Sequence, residues 1–187
     1  PRRACDSCMI LGFYADPNFA LIQEKSGLLM RYSIATGEKT AVLEAGAGKF
    51  SEPALSPDDR WLAFVLNKPD GRAAMYIAPV AGGPAPERDW ILLFNEERYL
   101  GSPAWSPDGT YLYYLSERKG TCSVWAQKLD AKSKRPHGPS RVVFRPQDRI
   151  DLNFPPGNGT VAVAKDKLAL WVGEGTGNIY LASPKKK

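Results

Sequence analysis

The residues that could do chemistry are few: the thiols of Cys5, Cys8 and Cys122, the single imidazole of His137, the recurrent aspartates Asp58 and Asp108, and two glycine-rich stretches. The spacing Cys5-Asp6-Ser7-Cys8 is the one that could suggest a metal or redox centre. A structural zinc takes four ligands, and Cys122 and His137 lie far along the chain in unrelated settings. Haem attachment places a His directly after the second Cys, where Met9 stands, and a thioredoxin-like site needs a βαβ context that is missing. The two thiols read as part of a loop entering the first structural unit, able to form a local disulfide in an oxidising compartment. Serine nucleophiles need a base and a group to orient it, yet no Gly-x-Ser-x-Gly elbow is present and His137 sits between Pro136 and Gly138. Glu44 to Lys49 fails the phosphate-loop pattern at Leu43 and Phe50. Gly173 to Gly177 is misspaced for a dinucleotide site and reads as a hairpin loop. The expectation is no catalytic residue, no cofactor and no metal.

Asp58 and Asp108 have a structural use. In Ser106-Pro107-Asp108-Gly109 the proline presets φ, the carboxylate accepts backbone N–H bonds, and the glycine takes positive φ. Pro57-Asp58 repeats this turn. Calcium there would need further oxygen ligands, and none is assignable. Each turn opens a short apolar strand, Trp61 to Leu66 and Tyr111 to Leu115, followed by a second polar turn and an aromatic-bearing strand. A weaker copy surrounds Tyr14 to Asn18, with Pro17 matched to Pro57. A decayed copy follows Pro146 to Asn158, a loop in which Phe154 takes the place of Trp105, and keeps Thr160 to Ala164, Lys167 to Val172 and Asn178 to Ala182. Tyr32, Tyr76, Trp125 and Tyr180 are aligned as the third-strand aromatics. Lys39 to Leu43, Trp90 to Phe94 and Arg141 to Phe144 complete each copy as outer strands. Repeats of about 40 to 50 residues built from short strands and glycine turns indicate β-propeller blades. The expected blades span residues 10–44, 50–95, 101–145 and 152–183 of one all-β domain covering 1–187.

The unit Pro-Ala-Trp-Ser-Pro-Asp-Gly-x-x-Leu-x-Tyr, followed by a turn and an aromatic strand, resembles the WD-like repeat of TolB-type propellers. The resemblance covers nearly the whole chain, strongest in the two middle copies, and its Ser-Pro-Asp-Gly core specifies fold rather than function. It implies about six blades in the complete ring, so the four visible here are expected to be the C-terminal part of a larger bacterial propeller, with a closed four-bladed ring as the alternative. The stretch Asp166 to Tyr180 also looks like the last blade of propellers attached to membrane-linked regulators. A recognition module with no catalytic residues to carry over is what the family implies, and it tilts the compartment towards the periplasm or cell envelope.

Charge excludes a nucleic-acid binder. The net charge is +5, but without Arg2, Arg3 and Lys185 to Lys187 the basic and acidic residues are equal in number. A nucleic-acid interface clusters its basic residues on a folded face. No stretch of 18 apolar residues predicts a transmembrane helix. Ala81 to Asp89 and Asp130 to Ser140 are the long polar loops; the second carries Lys132, Lys134, Arg135 and His137 and reads as a mobile insertion. The function expected is a non-enzymatic protein-interaction or scaffold module of an envelope, sensory or multisubunit assembly, bound to protein partners. The alternative is the gating propeller of a prolyl-oligopeptidase-type peptidase whose catalytic domain lies elsewhere.

Overall fold

The computed structural model describes residues 7–80, 83–146, 150–152 and 160–174. Strands dominate it, and no α-helix occurs among the described residues. Strands β1 (Cys8–Phe13), β2 (Phe19–Glu24), β3 (Leu29–Ser33) and β4 (Lys39–Leu43) form an antiparallel sheet in chain order. Strands β5 (Lys49–Leu55), β6 (Trp61–Asn67), β7 (Ala73–Pro79) and β8 (Ile91–Glu96) form a second. Strands β9 (Leu100–Trp105), β10 (Tyr111–Ser116), β11 (Ser123–Lys128) and β12 (Arg141–Phe144) form a third. The fourth unit is two strand pairs: β13 (Ile150–Asp151) with β16 (Gly173–Glu174), and β14 (Val161–Val163) with β15 (Leu168–Leu170). The first strands of the three complete sheets adjoin, β1 against β5 and β5 against β9, so the sheets radiate from a shared inner edge.

Period-two alternation decides which residues hold neighbouring sheets together. In β6, Leu62, Phe64 and Leu66 face the first sheet, while Ala63 and Val65 face the third. Phe64 is the hub of the first joint. Its ring meets Phe50 at 5.1 Å and Trp90 at 5.0 Å, both nearly edge-on, and stacks on Tyr76 at 5.8 Å. Such aromatic pairs add about 0.5 to 1.5 kcal/mol each beyond their buried area. In β10, Leu112 and Tyr114 face the second sheet, and Leu115 with Val124 of β11 faces the fourth unit.

Several expectations need correction. Cys8 belongs to β1, paired opposite Glu24, and not to an entry loop; Cys5 lies outside the described residues. The turn register matches Asp16, and not Pro17, to the other repeats: Asp16, Asp58 and Asp108 each accept the N–H two residues on. Tyr76 pairs with Phe64 and Trp125 with Tyr114, but the residue at that place in β3 is Met30, opposite Ile22. Tyr32 stands two residues further along the same face; Tyr180 lies outside the described residues. Part of the expected Pro146–Asn158 loop is strand β13, and Gly173–Glu174 is a strand, not a hairpin loop. Phe154 and residues 178–182 lie outside the described residues.

Candidate functional site

The Asx turns at Asp16, Asp58 and Asp108 share one end of the sheets, and between the second and third of them lies a cleft of about 230 Å³ lined by Pro57, Asp58, Pro107, Asp108, Gly109 and Lys134. The sequence paired these turns by type, and the fold sets them side by side. In the third sheet the Ser106 hydroxyl donates to Asp108 Oδ1 at 2.6 Å and accepts from Tyr111 N at 2.9 Å. Thr110 adds its N–H at 3.0 Å and its hydroxyl at 2.8 Å to the same carboxylate oxygen. In the second sheet the Ser56 hydroxyl donates to Asp58 Oδ1 at 2.5 Å and accepts from Trp61 N at 3.0 Å. Gly109 takes φ +66°, and Asp59 takes the same left-handed turn at φ +56°. Asp59 then crosses to the first sheet, its Oδ2 accepting from Ala15 N at 2.8 Å.

The electrostatics follow from these bonds. The Ser106 hydroxyl, then the Thr110 N–H and hydroxyl, hold the Asp108 carboxyl below the usual carboxylate range. Burial pushes Asp58 upward, but the Ser56 hydroxyl, the Arg60 N–H and the nearby Lys134 ammonium outweigh it and leave its pKa lowered.

Lys134 overturns the reading of its loop as a mobile insertion. It is 5% exposed, its Nζ donates to Gly109 O at 2.8 Å and stands 5.8 Å from the Trp105 ring. The loop is folded around Asp130, whose Oδ1 accepts from Lys132 N, Ser133 N and the Ser133 hydroxyl. Leu129 bridges to Pro136, His137 N donates to Lys128 O, and Gln127 Nε2 donates to Gly138 O. Lys132, Arg135 and His137 stay exposed on the outside of this anchored loop. The sequence signal for such a fold was Asp130 followed three residues on by Ser133, a local capping pattern.

Two polar joints between the second and third sheets were missed from sequence. Arg118, expected in a solvated turn, lies over Trp125 at 3.9 Å and Phe94 at 4.9 Å and donates to the Tyr114 hydroxyl. Its Nε stands 3.2 Å from Glu96 Oε1 without hydrogen-bond alignment, so that contact is an ion pair, while Glu96 Oε2 accepts from the Ser116 hydroxyl at 2.5 Å. Burial pushes the Tyr114 hydroxyl up to about 12. At the inner edge, Glu52 and Ser102 occupy matching bulges, both at φ +50°. Glu52 Oε2 accepts from Ser102 N at 2.5 Å, and the Ser102 hydroxyl accepts from Val161 N at 2.7 Å. Burial raises the Glu52 carboxyl, opposed by the Ser102 N–H. A Cβ on Gly101 would lie 2.6 Å from the Tyr99 hydroxyl and 2.7 Å from Glu52 Oε1, so a larger residue there would displace those two side chains.

No group of three or more His, Cys, Asp or Glu that could hold a metal occurs among the described residues, and no helix among them is long and apolar enough to cross a membrane. Four-stranded antiparallel sheets, stacked face to face in chain order about adjoining first strands, make this a β-propeller array. Its repeats are similar to those of TolB-type propellers. The Tol-Pal system protein TolB of Alcanivorax borkumensis is 31% identical over 91 residues, 49% of this chain and 20% of that protein. The crystal structure of TolB from Acinetobacter baumannii superposes with a TM-score of 0.66 at 14% identity, covering 88% of this chain and 37% of that one. The Swd1 β-propeller domain of Myceliophteria thermophila superposes at 0.51 with 15% identity, covering 84% and 45%. The chain therefore spans less than half the length of each of these relatives. No family model matches the sequence.

Proposed function

We propose that this chain is part of a non-enzymatic propeller that binds protein partners in a bacterial envelope assembly, on the periplasmic side. The observation that carries the reading is the similarity to a Tol-Pal system protein across 91 residues. The turn-bearing end supports it, because Lys134 holds an exposed basic loop rigidly beside paired aspartate turns. A preordered loop loses less entropy on binding than a mobile one. In an oxidising compartment Cys5 and Cys8 would close a local disulfide. The peptidase-propeller alternative has no observation in its favour here.

The test is calorimetric titration of the intact gene product with purified components of a Tol-Pal system. Saturable binding is expected, with the double variant Lys132→Glu/Arg135→Glu binding about ten-fold more weakly through lost charge complementarity. Both side chains are exposed, so the fold tolerates the change. Absence of binding to every component overturns the reading.

A further inference from the structure

Arg118 shows how this fold holds a guanidinium: laid over Trp125 and Phe94, with the Glu96 carboxylate beside it. Arg31 repeats the first half of that arrangement without the second. Strand pairing sets it on β3 opposite Leu21, with Phe19 two residues along the same face of the sheet, the diagonal spacing at which long side chains meet. Its guanidinium carbon stands 3.6 Å from the centre of the Phe19 ring and 5.2 Å from that of Tyr14. Among the described residues it has no ion pair and no hydrogen bond.

Arg31 lines a cleft of about 250 Å³ between the first and second sheets, together with Tyr14, Thr40, Val42, Asp59 and Val80. Val42 is buried in the joint and Val80 packs against the same cluster, so the cleft has an apolar wall. Burial pushes the Tyr14 hydroxyl up to about 12; it stays protonated near neutral pH and can donate. A guanidinium held flat on rings presents its fork already oriented, and the planar fork matches the two oxygens of a carboxylate. Orientation before binding lowers the entropy lost on binding. Charge narrows the ligand further. Asp59 lines the same cleft with its Oδ2 engaged by Ala15 N, and it repels a doubly charged phosphate more strongly than a singly charged carboxylate.

We propose that Arg31 is a recognition residue: the cleft takes an aspartate or glutamate side chain of a protein partner, its two oxygens on the Arg31 fork and the Tyr14 hydroxyl donating to one of them. The site rests on the partner-binding reading above and adds the chemistry of one contact.

The experiment follows the arginine Nε–H and tyrosine ring signals of the intact gene product by nuclear magnetic resonance during titration with a capped tri-glutamate peptide, a capped tri-glutamine peptide and inorganic phosphate. The Arg31 signal should move saturably with tri-glutamate and stay in place with tri-glutamine. Arg31→Lys keeps the charge and loses the fork, so tri-glutamate should bind about ten-fold more weakly. Arg60→Lys, at an exposed arginine on the neighbouring turn, should leave binding within about two-fold. An unmoved Arg31 signal overturns the proposal, as does phosphate binding tighter than tri-glutamate, or an Arg31→Lys variant that binds as well as the unaltered protein. Failure of the wider reading looks different. If no Tol-Pal component binds and tri-glutamate still moves Arg31, the carboxylate site stands and the partner assignment falls; if the components bind while tri-glutamate leaves Arg31 unmoved, the reverse holds.

Discussion

The joint between the first and second sheets and the joint between the second and third use one backbone arrangement, both with an apolar centre, and differ in where their polar contacts lie. At the first they sit in turns and at the sheet ends, as Asp59 to Ala15 N and Glu87 to Gly46 N, and at the second they lie within the joint. The first is closed by the rings of Phe50, Phe64, Tyr76 and Trp90 over aliphatic residues. The second adds cross-sheet polar contacts: Arg118 with Glu96, Glu52 with Ser102, and the Trp105 indole with Ala54. Apolar closure is strong and tolerant of small shifts, because dispersion and burial are not directional. Polar closure is directional, and it fixes one sheet's height and rotation against the next. The second joint thus places directional contacts among its packed side chains, whereas the first keeps them in its turns and sheet ends.

Breaking the apolar joint has the largest expected effect. Phe64→Ala removes the hub of four rings and should cost about 3 to 5 kcal/mol, read from urea unfolding. The polar joint is next. Glu96→Ala leaves Arg118 packed among Phe94, Tyr114 and Trp125 without its carboxylate, which should cost about 2 to 4 kcal/mol. Glu96→Gln, keeping the acceptor for Ser116, should recover part of it. If Glu96→Ala proves silent, the ion pair is ornamental and the two joints are alike.

The smallest effects sharpen the contrast through pH. Glu52 has a raised folded-state pKa from burial, so its contribution is present at low pH and declines as pH rises through that value, above the unperturbed glutamate value of about 4.3. Glu52→Gln should flatten that decline. Asp108 has a lowered folded-state pKa, so its contribution is present above the unperturbed aspartate value of about 3.9 and is lost as pH falls through the folded value. Asp108→Asn should flatten the acid limb alone. Unfolding curves at a series of pH values separate the two, and an Asp108→Asn variant with an unchanged acid limb would remove the carboxylate from the turn's energetics.

What could be read from sequence was local chemistry. The Ser-Pro-Asp turns, the strands they open and the glycine turns at Gly27, Gly71 and Gly120, all with positive φ, depend on neighbours a few residues away. Lys134, Arg118 and Glu52 were missed because their partners come from another turn or another sheet. Composition around them looks like solvent-facing loop in each case. Register was legible only approximately: an aromatic at Tyr32 resembled Tyr76 by type, and strand pairing moved it by one alternation step. Strand β1 was not read as a strand, because Gly12 and the bulge at Leu11 interrupt its period-two pattern.

Arg118 has a consequence for how the molecule meets a trypsin-like protease. Its guanidinium lies over the Trp125 and Phe94 rings, 25% exposed, while adjacent Lys119 is exposed with its Nζ 5.5 Å from the Trp125 ring. Two consecutive cleavage positions thus differ in what must move first: cutting after Lys119 needs only the hairpin tip to fray, whereas cutting after Arg118 needs the second and third sheets to separate. The ratio of the two nicked products over time is a clock for that separation.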